Sequence, residues 1–138
     1  MYKTILVTLD ATPTDRAIID HIKRLAKEMG SSLVLLHVAT SVPAQFNGPD
    51  AAGEEIEEDE AYLRGLKEEF EAAGIPARTE LAYGDPVKEI VKWIEGNQCD
   101  LVAMSTHGHQ FVADLVLGTT ANRVQHSVSV PVLLLRAK

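Results

Sequence analysis

The sequence holds one cysteine, Cys99, one tryptophan, Trp93, and aromatic residues at only 5% of its length. A lone thiol closes no internal disulfide and leaves no thiol cluster for a metal, which fits a reducing compartment. Cys99 itself reads as a small buried hydrophobe. So few rings imply an aliphatic core. Long hydrophobic runs are missing too. The opening MYKTILVTLD has an apolar run of about six residues before an acid, shorter than the apolar stretch of a signal peptide. No other segment approaches the roughly 20 apolar residues that cross a bilayer. The expectation is a cytoplasmic protein with no membrane partner.

Positive charge is scarce as well. There are 13 Lys and Arg against 20 Asp and Glu, a net charge of -7, and the cations are scattered along the chain. Binding to a nucleic-acid backbone needs clustered cations to neutralise phosphates, so no nucleic-acid partner is expected. Neither G-x-x-x-x-G-K-[S/T] nor G-x-G-x-x-G occurs, which argues against a P-loop ATPase and a dinucleotide oxidoreductase. The G-x-S-x-G elbow of an esterase-type triad is also absent.

What is present is ordinary globular material, 46% hydrophobic and 24% charged over 138 residues. That length buries one core but not two, so residues 1–138 read as a single domain. Aliphatic runs at Thr4 to Leu9, Leu33 to Val38, Arg78 to Ala82, Leu101 to Met104 and Val132 to Leu135 alternate with helix-period segments. This pattern predicts an α/β fold with a mainly parallel sheet. Runs such as Ile5-Leu6-Val7 are continuous rather than alternating, as strands covered on both faces require. The expected architecture is an open, doubly wound, five-stranded sheet with helices on both faces.

Helix signals punctuate the chain. Thr12 is a candidate cap and Pro13 a candidate first residue for a helix carrying Ile18, Ile22, Leu25 and Met29, with Gly30 as terminator. A second helix is expected from about Glu54 to Ala73, with Ile56, Leu63, Leu66, Phe70 and Ala73 on one face and Gly74 at its end. Its acidic start suits the positive end of the helix dipole. Asp85 and Pro86 open a third helix with Val87, Ile90, Val91 and Ile94, Trp93 beside that stripe serving packing or an interface. A fourth starts near Gly118 and runs to about His126, and Pro131 introduces the last strand. The stretch from Ala39 to Gly53 is the one long irregular segment, a length that usually marks function or mobility.

Right-handed crossovers restrict the strand order, and in order 3-2-1-4-5 the winding reverses between strands one and four. Ligands bind outside the carboxyl ends of the strands at such a reversal. Those ends are Thr8-Leu9-Asp10 and Met104-Ser105-Thr106-His107-Gly108, and Gly118-Thr119-Thr120 follows at a helix start. Small residues, free N–H groups at a helix N-terminus and threonine hydroxyls together suit a phosphate.

Ser105-Thr106-His107-Gly108, then nine residues, then Gly118-Thr119 resembles the G-x-x-G, nine residues, G-[S/T] nucleotide motif of the universal stress protein family. The likeness spans nearly the whole chain, through YKTILVTLD, LLHV at Leu35 to Val38, GDP at Gly84 to Pro86, DLVAMSTHG at Asp100 to Gly108 and the closing PVLLLR. The resemblance implies a stress-response protein that binds ATP, with magnesium, or another adenine nucleotide. Asp10 and the backbone of Thr8 and Leu9 would border adenine and ribose, and Val38 would offer its backbone to adenine. Met104, Ser105 and His107 would line the ribose side, and Gly108, His109, Gly118, Thr119 and Thr120 would surround the phosphates. It also implies a homodimer paired through the last strand. Two positions depart from the family pattern: Ser105 replaces the first motif glycine, and Thr8 a common proline.

No catalytic residue and no protein-held metal is expected. Asp10 suits a nucleotide contact or a turn cap better than a general base or a magnesium ligand. His107 and His109 lack a third ligand at metal spacing, and His107-Gly108-His109 lacks the spacing of a nucleotidyl-transferase HxGH motif. The reading is therefore a regulatory nucleotide-binding protein. The alternatives are a dimeric interaction module without nucleotide, or a slow ATPase.

Overall fold

Six consecutive residues of the first strand, TILVTL, can all be apolar or small because each face of the strand meets its own core. The computed structural model describes residues 1–40, 53–107 and 119–136. Strands β1 (Thr4–Leu9), β2 (Ser32–Ala39), β3 (Ala77–Tyr83), β4 (Leu101–His107) and β5 (Val132–Arg136) form one sheet in the order β3-β2-β1-β4-β5. Every pairing is parallel, and Val7 stands opposite Leu35 on one side and Ala103 on the other. The expected fold and strand order are observed.

Helices α1 (Asp15–Met29) and α2 (Gly53–Ala72) cover one face; α3 (Pro86–Gly96) and α4 (Thr119–Ser127) cover the other. Ile5, Val7, Leu33 and Leu35 pack with Ile18, Ile22, Leu66 and Phe70 in the first core. Leu6, Val34 and Leu36 pack with Val87, Ile90, Ile94 and Val124 in the second. Neighbouring residues of a strand point to opposite faces, so a continuous apolar run feeds both cores at once.

The helix boundaries follow local chemistry, with one correction. Thr12 does not cap α1 and Pro13 is not its first residue. The helix begins at Asp15 after Thr14, which makes no side-chain capping bond, while the Thr12 and Thr14 hydroxyls meet at 2.5 Å. The reason lies in Asp15, whose buried carboxylate is spent on the preceding turn, as described below. Gly30 ends α1 in the left-handed conformation at φ 68°, and its N–H bonds to the Ala26 carbonyl. At the other predicted start the reading holds: the Asp85 carboxylate accepts from the Lys88 amide at 2.9 Å and Pro86 is the first residue of α3. Cys99 is half-buried, and burial together with Asp100 pushes its thiol up. Trp93 is also partly buried, with the Arg78 guanidinium 5.9 Å from its ring centroid.

Helices α1 and α2 are tied at their surface by Glu69. Its carboxylate accepts from Arg16 at 2.7 and 3.1 Å and from Lys23 at 2.6 Å. These bonds, the Arg16 bond above all, hold Glu69 down at about 2. A depressed carboxyl stabilises the fold above its ordinary value of about 4.3 and loses that contribution as pH falls towards the folded value. Arg16 is 53% exposed, so solvent limits the contribution to about 1 kcal/mol. Glu69→Gln should lower the melting midpoint at neutral pH by about 4 °C. Melts followed by circular dichroism should show that gap closing between about pH 4.3 and the acid limit.

Candidate functional site

With β1 buried on both faces, its side chains reach solvent only where the strand ends. There the chain turns through Asp10 and Ala11, and Ala11 is held at φ 62°, a left-handed conformation that a residue with a β-carbon adopts at a cost of about 1 kcal/mol or more. Asp15, 1% exposed, keeps it there. One carboxylate oxygen accepts from the Asp10 amide and the other from the Ala11 amide, both at 2.9 Å. Tyr62 of α2 donates its hydroxyl to Asp15 at 2.7 Å. Burial, with that bond to a carboxylate, holds the Tyr62 hydroxyl far above its ordinary value.

Beside this turn lies a cleft of about 340 Å³, within the roughly 300–1,000 Å³ of small-molecule sites. It opens between the carboxyl ends of β1 and β4, where the strand order reverses. Thr8 and Leu9 from β1, Asp10 from the turn after it, Val38 from β2, Met104 and Ser105 from β4 and Thr120 from the first turn of α4 line it. The sheet thus brings seven of the twelve sequence-predicted site residues to one hollow. Ser105 stands on the wall of the cleft. The β4–β5 register shifts between Ser105 and His107.

The remaining predicted residues divide in two. Gly108, His109 and Gly118 lie outside the described residues, as does most of the Ala39 to Gly53 segment. His107 closes β4 and Thr119 opens α4, and those backbone placements are all that the structure describes for them.

The cleft also has walls that the sequence reading missed: Leu36, His37, Thr40, Pro86 and Ile90. His37 and Thr40 flank the predicted Val38, so the end of β2 as a whole was the available signal. Pro86 and Ile90 were assigned to a helix start and a core stripe. Their part in the cleft depends on α3 packing back over β2, which only the tertiary arrangement reveals. His37 and Thr40 are the polar members of this set. The His37 Nδ1 lies 2.8 Å from the Leu9 carbonyl and its Nε2 lies 3.4 Å from Asp59 of α2. Burial, with Glu55 nearby, raises the Asp59 carboxyl above its ordinary value, against the opposing pull of His37.

Among the described residues no group of three or more His, Cys, Asp or Glu is arranged to hold a metal, and no helix is long and apolar enough to cross a membrane.

Known proteins share this architecture. Universal stress protein MJ0577 of Methanocaldococcus jannaschii is 26% identical over 157 aligned residues, covering 100% of this chain and 97% of that protein. Its solved structure superposes with a TM-score of 0.85. A universal stress protein solved in complex with cAMP has the same fold at 21% identity, covering 99% of this chain and 98% of that one, with a TM-score of 0.73. So does the universal stress protein of Archaeoglobus fulgidus in complex with dAMP, at 14% identity, 96% and 97% coverage and a TM-score of 0.69. The sequence pattern of the family described as "Universal stress protein family" matches residues 1–136. The chain therefore belongs to the universal stress protein family.

Proposed function

We propose that this protein is a stress-response regulator that holds ATP, or another adenine nucleotide, with magnesium in the cleft between β1 and β4. The observation that carries the reading is the convergence of Thr8, Leu9, Asp10, Ser105 and Thr120 on one hollow at the point where the strand order reverses. The residues fit the ligand by its parts. Leu36, Ile90 and Met104 offer an apolar wall for a purine, and the end of β2 at Val38 supplies backbone partners for its edge. Asp10 is exposed at the rim, where its carboxylate can accept from ribose hydroxyls. Thr120 sits in the first turn of α4, where free amides and the helix dipole favour a phosphate. Gly108, His109, Gly118 and Thr119, with His107, complete the phosphate surroundings in this reading.

Magnesium needs no cage of protein ligands here, because it binds through phosphate oxygens and retained waters. The adenine nucleotides bound by two neighbours of the same fold, cAMP and dAMP, support the choice of base. The homodimer belongs to the same reading. β5 is an edge strand carrying Leu134, 37% exposed, and an apolar edge is a natural template for pairing with a second copy.

Three results are expected. Saturating Mg-ATP at about 100 times its dissociation constant adds about 2.7 kcal/mol and should raise the melting midpoint by roughly 10 °C. An unmoved midpoint at millimolar Mg-ATP would sink the nucleotide reading in favour of an interaction module. Asp10→Ala should weaken nucleotide binding about tenfold in calorimetric titration, the worth of one good hydrogen bond to a charged group. Leu134→Glu should convert the dimer to a monomer in sedimentation equilibrium, since it places like charges opposite each other across the pairing axis.

A further inference from the structure

The peptide group joining Leu9 to Asp10 is held at both ends. Its carbonyl oxygen faces His37 Nδ1 at 2.8 Å, and its amide donates to Asp15 at 2.9 Å. Each of those two side chains is backed by α2. Behind His37 stands Asp59, with Oδ2 3.4 Å from Nε2; behind Asp15 stands the Tyr62 hydroxyl at 2.7 Å. Residues 59 and 62 are three apart and so share one face of the helix. The pairs are shielded from water: the His37 and Asp59 side chains are 11% and 13% exposed, and Asp15 is 1% exposed. In such surroundings polar contacts are strong and their loss is expensive.

The protonation pattern is fixed by the partners. A carbonyl only accepts, so His37 Nδ1 carries a proton. Nε2 and the Asp59 carboxylate then attract each other only with one further proton between them. No hydrogen bond of ordinary length satisfies Asp59 Oδ2 among the described residues. An asparagine amide at position 59 would donate to Nε2 without that proton, and an alanine would leave Nε2 without a partner.

Leu9 and Asp10 also line the cleft, so the orientation of this one peptide group sets where the Leu9 carbonyl and the Asp10 carboxylate stand. We infer that Asp59 and Tyr62 are positioning residues: through His37 and Asp15 they clamp the Leu9–Asp10 peptide, and α2 thereby sets the ligand affinity of a cleft that none of its described side chains line. The ligand half of this inference rests on the nucleotide reading above, whereas the clamp itself does not.

The test separates the two. In nucleotide-free protein, amide exchange followed by NMR should speed up about tenfold at Asp10 and Ala11 in both Tyr62→Phe and Asp59→Ala, the effect of losing one hydrogen bond. The Val7 amide, deep in β1, should be unchanged, and Asp59→Asn should behave as wild type. Titration with Mg-ATP should show affinity falling about fivefold or more in Tyr62→Phe and Asp59→Ala, and preserved in Asp59→Asn. Unchanged exchange at Asp10 and Ala11, equal acceleration at Val7, or an Asp59→Asn variant as impaired as Asp59→Ala would each overturn the clamp. A wild-type protein that binds no adenine nucleotide refutes the proposed function instead, and the exchange rates then decide the clamp alone.

Discussion

A strand buried on both faces has no side-chain position left for chemistry along its length, and that constraint organises this protein. Ile5, Leu6 and Val7 of β1 are fully buried, between α1 and α2 on one side and α3 and α4 on the other. Water can approach β1 only at its ends. At the amino end the opening is closed by Asp100, which accepts from the Lys3 and Thr4 amides while its own amide donates to the Thr4 carbonyl. At the carboxyl end β2 and β4 continue past a turn, and the reversal of winding parts the helices that would otherwise cover it. The cleft is what remains.

A polar opening in an aliphatic body must satisfy its backbone groups locally, because an unpaired buried amide or carbonyl costs on the order of 1–3 kcal/mol. The Asp15 carboxylate serves three donors, the Asp10 and Ala11 amides and the Tyr62 hydroxyl, and so remains buried with no cationic partner at hydrogen-bonding distance among the described residues. This explains why the predicted Thr12 cap is not used. A carboxylate at the first residue of α1, turned back on the preceding loop, replaces a capping hydroxyl and stabilises the left-handed Ala11 as well.

The sheet was legible in the sequence because its signals are local. Continuous aliphatic runs, Gly30 and Gly74 after periodic segments, and Asp85-Pro86 each act within a few residues, and crossover handedness narrows the strand orders to a few. Half of the cleft was legible for the same reason, since strand ends are found once strands are. Pro86 and Ile90 were not, because a helix residue lines a cleft only through the path of its helix across the sheet. His37 and Asp59 were hidden for a stronger reason. They lie 22 positions apart in sequence, and no spacing rule connects a strand residue with a helix residue so far along the chain.

The two helices on the α1–α2 face therefore have unequal duties. α1 follows β1 directly and carries Asp15, so its link to the cleft is built into the chain. Among the described residues α2 makes its polar links toward the cleft through the side chains of Asp59 and Tyr62, and it is tied to α1 through the partly exposed Glu69 cluster. A polar contact shielded from water depends strongly on geometry, so a shift of α2 of about 1 Å would disturb the Asp59–His37 and Tyr62–Asp15 contacts behind both ends of the Leu9–Asp10 peptide together. The surface of α2 is strongly acidic at its start, and whatever neutralises or repels that charge acts on the same helix. A closely packed interior transmits strain, and through this pair of side-chain contacts an event on the outer surface of α2 can reach the cleft, whereas α3 and α4 touch it directly through Pro86, Ile90 and Thr120.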